Sequence, residues 1–414
     1  MDAVTIVLAV GAVAGLHMAW FIGVRDGANV LGISVGSGAL SLRQGLVVAV
    51  GFELLGALRA GGAVNETVAV RLAPLVEAGE PPVVLAAAAV AALVAALVSL
   101  HTFAAIDWPV SSTHAVVGAV VGVGLWVGGA AGVEWGVVAS VLGGWLVAPV
   151  LALLAGYAVF VGLSLRVLRA PGAARRLLWF GPLLTWAVLG ALTWTALEGG
   201  ARTTPLVGST ATGAAAVAVG ALGALGIGLL IRRSVEGDGG DTERAEAAFA
   251  WLQWPTASFL AFAHGSNDAA NAVGPMSAIF GLVRGHGGFD AHGPFVVPTN
   301  LLLIAGFGIA LGLSTFGLRS LESLGRELRE LTPSRGFAAE LAAAFVLAGA
   351  SALGLSVSAT STLLGAVVGV GLGRGLGALD LRVVRRMAAG WGIAIPLTAA
   401  LAAGLAALTG AWLR

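Results

Sequence analysis

The sequence predicts an all-α polytopic membrane protein of about twelve transmembrane helices, arranged as two inverted-topology repeats with broken or re-entrant helices. Three observations predict this class. Hydrophobic residues make up 58% of the chain and charged residues only 10%, whereas a soluble domain carries about 25% charge. The apolar stretches are continuous and rich in Ala, Leu, Val and Gly, unlike the short alternating segments of a β-barrel. Polar motifs inside those stretches occur twice, the second time in a segment of opposite orientation.

The apolar runs lie at 3–24, 45–63, 82–106, 114–131, 135–164, 177–197 and 205–231, and then at 249–283, 294–317, 338–355, 362–378 and 387–413. The first lacks a basic segment before it and leads into more membrane sequence, so it reads as a span and not a cleaved signal. All 22 basic residues are Arg, and they set the orientation because cytoplasmic loops retain them. Arg166, Arg169, Arg175 and Arg176 follow the fifth run; Arg232, Arg233 and Arg244 follow the seventh. Arg319, Arg326, Arg329 and Arg335 follow the ninth, and Arg374, Arg382, Arg385 and Arg386 the eleventh. Every Arg-rich loop follows an odd-numbered run, which predicts both termini outside. The mixed Gly, Asp, Glu and Arg of 235–247 read as a solvated cytoplasmic linker. The organisation expected is a first repeat over 1–165, connecting spans and linker over 166–248, and a second repeat over 249–414.

The repeat is visible in two ordered blocks. Gly23-Val24-Arg25-Asp26-Gly27-Ala28-Asn29 matches Gly265-Ser266-Asn267-Asp268-Ala269-Ala270-Asn271. Val110-Ser111-Ser112-Thr113 matches Val357-Ser358-Ala359-Thr360, and the octapeptide Gly-Ala-Val-Val-Gly-Val-Gly-Leu recurs unchanged at 118–125 and 365–372. The offsets are nearly equal. An odd number of spans separates the two Asp-Ala-Asn motifs, so the halves have opposite orientation, as in secondary transporters whose site forms where the halves meet.

Several polar residues need a reason to be in a span. The run 249–283 is too long for one straight crossing, and its middle holds His264, Gly265, Asn267, Asp268 and Asn271, followed by Gly274-Pro275. Asp268 and Asn271 share a helical face, and their oxygens suit Na⁺ or a proton; the bland reading is an interhelical hydrogen-bond clasp. Pro109 stops one helix, and Ser111, Ser112 and Thr113 begin the next. Exposed N–H groups and hydroxyls there form an anion-binding arrangement, although each cluster alone reads as an ordinary cap. Glu53 in the second run is either a cation or proton site or a structural partner of an Arg. Glu340 opens the tenth run, where a carboxylate suits the helix dipole. His286 and His292 in a Gly-rich outer loop support metal binding only weakly. With no Cys, no HExxH and no nucleophile elbow, an enzyme is disfavoured, and a net charge of +1 gives no case for nucleic acid.

The long stretch Ala261 to Pro275, with Leu252-Gln253 and Thr256-Ala257 before it, resembles the second signature of the inorganic phosphate transporter (PiT) family. So do Thr332 to Glu340 and Trp108 to His114, while Ser37 to Leu40, Arg43-Gln44, Phe52-Glu53 and Asn65-Glu66-Thr67 fit its first half. The resemblance implies a secondary active symporter importing phosphate with Na⁺ or H⁺ across the plasma membrane, commonly as a homodimer; some bacterial relatives carry sulfate. It implies a cation site at Asp26, Asn29, Asp268, Asn271 and Glu53, with no cofactor beyond Na⁺ as the coupling ion. It implies an anion site at Ser111, Ser112, Thr113, Ser358, Thr360 and Asn267. Arg25, where the family has Asn, joins the anion site as a bidentate donor or else marks the cytoplasmic end of span one. Ser356, Ala359 and Ser361 replace the family's Pro, Thr and His in the second hydroxyl cluster. A passive anion channel is the competing class.

Overall fold

The computed structural model describes residues 2–75, 79–106, 108, 110–199, 205–284, 296–317, 331–375 and 381–413. Pro109, His286, His292, Arg319, Arg326 and Arg329 lie outside the described residues, as do the readings placed on them. Regular structure among the described residues is entirely helical.

Helix α1 (Ala3–Ile22) passes through a π turn, Gly23–Gly27, into α2 (Ala28–Gly36). Asp2 starts α1 by accepting from the Thr5 amide at 2.8 Å. A Ser41–Gln44 capping box starts α3 (Leu42–Ala60), which bends by 65° into α4 (Gly62–Glu66) and a second π turn ending at Arg71. Then follow α5 (Pro82–Ala105), α6 (Ser112–Gly128) and α7 (Trp135–Leu163). A hairpin of α8 (Ala173–Glu198) and α9 (Ser209–Glu236) leads to α10 (Asp241–Asp268) and α11 (Ala270–Arg284), which part at Ala269. The chain closes with α12 (Thr299–Gly312), α13 (Pro333–Ala352), α14 (Ala359–Leu372) and α15 (Leu381–Leu413).

Nine helices among the described residues are long and apolar enough to cross a membrane, or ten if the bent pair is one span. The remaining runs are those that hold polar motifs or are short: α14 has only 14 residues, too few to cross alone.

The stretch expected to be a solvated cytoplasmic linker is largely helix. Only 237–240 is irregular, because α9 extends to Glu236 and α10 starts at Asp241. Its acidic residues are fixed: Asp241 accepts from the Ala173 and Ala174 amides at 2.7 and 3.2 Å, and Glu246 accepts from the amide and hydroxyl of Ser334 at 2.8 and 2.7 Å. Each carboxylate thus caps the start of a neighbouring helix, α8 or α13, where the dipole favours it. The dipole role assigned by sequence to Glu340 belongs to Glu246; Glu340 lies two turns inside α13 and is buried.

Small residues set the helix crossings, as expected where lipid gives no hydrophobic drive and backbones must approach closely. The two copies of the octapeptide face opposite helices. A Cβ on Gly118 or Gly122 of α6 would press on the carbonyls of Ile395 and Ala399 in α15. On Gly365 or Gly369 of α14 it would press on those of Pro149 and Leu153 in α7. The same reciprocity joins α1 to α12 through Gly23 against Ile309 and Gly312 against Trp20, and α10 to α3 through Gly265 against Glu53 and Gly56 against Phe262.

Overpacking these contacts is therefore expected to cost about 1–3 kcal/mol each. Gly122→Leu and Gly369→Leu should both lower the melting temperature in detergent by several degrees. Gly51→Ala, where a Cβ meets open space, should leave it unchanged. Unchanged melting in both Leu variants would show that the backbones do not meet at these glycines.

Candidate functional site

The π turn after α1 and the break after α10 each interrupt a helix beside an Asp. Asp26 is buried in the first interruption, and Asp268 is the last residue of α10. The starts of α6 and α14 approach the same region, because Ser112, on α6, donates to Asp26 Oδ2 at 2.7 Å and Thr360, on α14, donates to Oδ1 at 3.3 Å.

The two Asn residues bond across the halves of the chain. Asn29 Nδ2 on α2 donates to Thr360 Oγ1 on α14 at 3.1 Å. Asn271 Nδ2 on α11 donates to Ser112 Oγ and Thr113 Oγ1 on α6 at 3.2 and 3.1 Å. In the repeat alignment Asn29 matches Asn271 and Thr360 matches Thr113, so the exchange is reciprocal. Asp268 and Asn271, expected on one helical face, lie on either side of Ala269 and meet different partners.

Asp268 has no hydroxyl partner of the Ser112 type, because the corresponding position is Ala359. It is served by a histidine instead. His264 lies 3.2 Å from Asp268 Oδ2 through Nε2 and 3.0 Å from Glu53 Oε1 through Nδ1, and all three side chains are buried. Among the described residues Glu53 pairs with this histidine and not with an Arg. Asp26 lies within electrostatic reach of Asp268, His264 and Arg25.

The anion candidates divide into two groups. Ser112, Thr113 and Thr360 point their hydroxyls into the Asp–Asn network. Ser111 and Ser358 act as N-caps, accepting from the amides of Thr113 and Ser361 at 3.3 Å. Asn267 uses its Nδ2 to hold the segment before α14, donating to Ser351 Oγ and the Leu355 carbonyl at 3.2 and 3.1 Å. Thr67 and Trp145 hold the same segment through the Gly354 and Ser356 carbonyls, both at 2.7 Å. Arg25 is half-buried and joins no hydrogen bond or ion pair among the described residues.

Four buried oxygens at this centre accept nothing: Glu53 Oε2, Asn267 Oδ1, Asp268 Oδ1 and Asn271 Oδ1. A buried acceptor without a donor is costly, and hard oxygens of this kind suit an alkali cation or a proton. The hydroxyls and helix starts of α6 and α14 supply donors suited to an oxyanion.

Sequence reasoning left two sets of residues unassigned. His264 was visible as a polar residue one turn before Asp268, but its bridging role depends on α3 crossing at Gly265. The second set surrounds Glu340, which accepts from Ser34, from Thr256 Oγ1 at 2.7 Å and from Gln253 Nε2 at 3.2 Å, with Ser37 donating to Gln253 Oε1 at 2.6 Å. Only the placement of Gln253 and Thr256 three apart on one helix hinted at it.

Apolar helices surrounding a shared polar centre, with interrupted helices contributing from both ends of the chain, define a multi-pass membrane protein of the solute-carrier type. The chain belongs to the phosphate transporter family, whose model matches residues 22–402. It is 35% identical to the chloroplastic inorganic phosphate transporter 2-1 of Arabidopsis thaliana, over 94% of this chain and 70% of that protein. It is 33% identical to a putative phosphate permease of Haemophilus influenzae, over 93% of this chain and 92% of that one. Among solved structures, one described as the sodium-dependent phosphate transporter superposes with a TM-score of 0.89 at 28% identity, covering 97% of this chain and 98% of that one.

The caps and the buried ion pair should separate in stability. Ser111→Ala is expected to cost about 1 kcal/mol, and His264→Ala about 3–5 kcal/mol because it strands two buried carboxylates. Thermal unfolding in detergent measures both; equal shifts would rule out His264 as the bridge.

Proposed function

We propose that this protein is a secondary active symporter that imports inorganic phosphate with Na⁺ or H⁺ by alternating access. The observation that carries the reading is the reciprocal pair of bonds, Asn29 to Thr360 and Asn271 to Thr113, which joins the two halves at one polar centre. Phosphate docks on the donors at the starts of α6 and α14, and the coupling cation on the unpartnered oxygens of Asp268, Asn267, Asn271 and Glu53, with Asp26 and Asn29 as their counterparts. Hydroxyls now given to Asp26 become available to the anion once a cation or proton neutralises that carboxylate, so that each ion strengthens binding of the other.

The architecture belonging to this reading is a pair of inverted repeats, over 1–165 and 249–414, joined by 166–248. The matched glycine crossings support it. About twelve crossings result if the bent α3–α4 pair, α10–α11 and α14 each count once beside the apolar spans. The protein then lies in the plasma membrane as a homodimer with both termini outside. Sodium is the leading coupling ion because the superposing structure is described as sodium-dependent.

A sulfate permease uses the same donors, but phosphate can also donate a hydrogen bond to a carboxylate and sulfate cannot; the carboxylates at the site favour phosphate. Competitive uptake of labelled phosphate and sulfate by proteoliposomes, with Na⁺ and pH gradients imposed separately, tests the whole reading. Phosphate should accumulate against its gradient, and Asp268→Asn should abolish accumulation while the protein stays folded. Movement only down the gradient would make the protein a channel, and normal accumulation by the variant would remove Asp268 from the coupling site.

Arg25 replaces the family's Asn one residue before Asp26, where a fixed positive charge repels Na⁺. Wild type is expected to show weaker Na⁺ dependence than relatives, and Arg25→Asn to increase it. Initial rates against Na⁺ at fixed pH measure this; overlaying curves would leave Arg25 as a topological marker only.

A further inference from the structure

We propose that the turn joining α7 to α8 binds the headgroup of an anionic phospholipid. Arg166, Arg169, Arg175 and Arg176 all lie in this short segment, and all four are exposed. The segment has a defined shape. α7 ends in a π turn over Ser164–Leu168, and Gly172 adopts a left-handed φ of 72°. Arg176 Nη1 donates to the Arg166 carbonyl at 2.8 Å, tying the two sides of the turn together.

Among the described residues these four cations form no ion pair with a carboxylate. α8 and α9 run antiparallel, as the packing of Gly181 on Ile231 and of Gly220 on Trp186 requires. The end of α9 and the start of α10 therefore lie at the same membrane boundary and bring its nearby carboxylates. Glu236 pairs with Arg232 at 2.7 Å. Asp241 caps α8, Glu243 caps α10 through the Gly240 amide at 3.1 Å, and Glu246 caps α13. Asp238 is exposed and unassigned. No ion pair joins Arg166, Arg169, Arg175 or Arg176 to a carboxylate among the described residues, and Asp241 is the one acid seated at the turn itself.

The surface below the arginines is apolar and open. Trp179 is 84% exposed, Leu165 62% and Leu183 59%, and Trp179 lies one helical turn from Arg175. A guanidinium cluster over an exposed Trp and Leu face matches a phosphodiester above two acyl chains, with Arg forks on the phosphate oxygens and Trp at the boundary. The occupant is a membrane lipid and not the transported anion, because the acyl face continues the site into the hydrocarbon.

The test is native mass spectrometry of the purified protein in detergent with phosphatidylglycerol or phosphatidylcholine added. Phosphatidylglycerol should be retained about tenfold better, and rising NaCl should erode that preference. The preference should fall in R175Q/R176Q and persist in R232Q/R233Q on α9. R175K/R176K retains the positive charge that orients the chain and should keep part of the preference. Millimolar inorganic phosphate should not displace the lipid. Equal retention of the two lipids, a preference indifferent to salt, full preference in R175Q/R176Q, or displacement by phosphate would each overturn the proposal.

Discussion

A carboxylate moved from water into a helix bundle costs several kcal/mol unless donors or a positive charge replace its hydration. Asp26 and Asp268 meet this demand differently, and the surrounding structure follows from how they do so. Asp26 takes hydroxyl protons from Ser112 and Thr360, which requires the starts of α6 and α14 to reach the middle of the bundle. Asp268 takes His264, and His264 takes Glu53, which requires α3 to cross α10 at backbone contact. Where the repeat offers Ser112 on one side it offers Ala359 on the other, and where it offers His264 on one side it offers Ile22 on the other. The bundle gives both acids one frame and satisfies them differently.

That frame depends on glycine. Gly265 brings Glu53's backbone against α10, and Gly23 does the same for Ile309 against α1. Gly118 and Gly122 seat α6 against α15, and Gly365 and Gly369 seat α14 against α7, which fixes the two helices whose starts carry Ser112, Thr113 and Thr360. The low charge and high small-residue content that marked the chain as membrane-embedded thus also allow its polar centre to close.

Much of this was legible in the sequence. Composition fixed the solvent, and the repeated Asp-Ala-Asn and Ser-Ser-Thr blocks pointed to the residues that converge, since a polar group kept inside an apolar run twice at one spacing has few uses. Pairings were not legible. Ser111 and Ser112 are neighbours of the same chemistry, yet the first caps α6 and the second bonds Asp26, a division set by which residue happens to take the extended N-cap geometry. The capping roles of Asp241 and Glu246 were hidden because their partners, Ala173 and Ser334, are distant in sequence. Glu340 was misread for a related reason: its donors come from α2 and α10, and no local pattern shows that three helices meet there.

The two caps at the start of α10 also bear on how three helices are held to one another. Asp241 fastens α10 to α8 and Glu246 fastens it to α13, while across the junction with α11 Ala269 donates to the Gly265 carbonyl and accepts from the Val273 amide. Two carboxylate rivets thus join the starts of α8, α10 and α13, three helices whose first residues are distant in sequence.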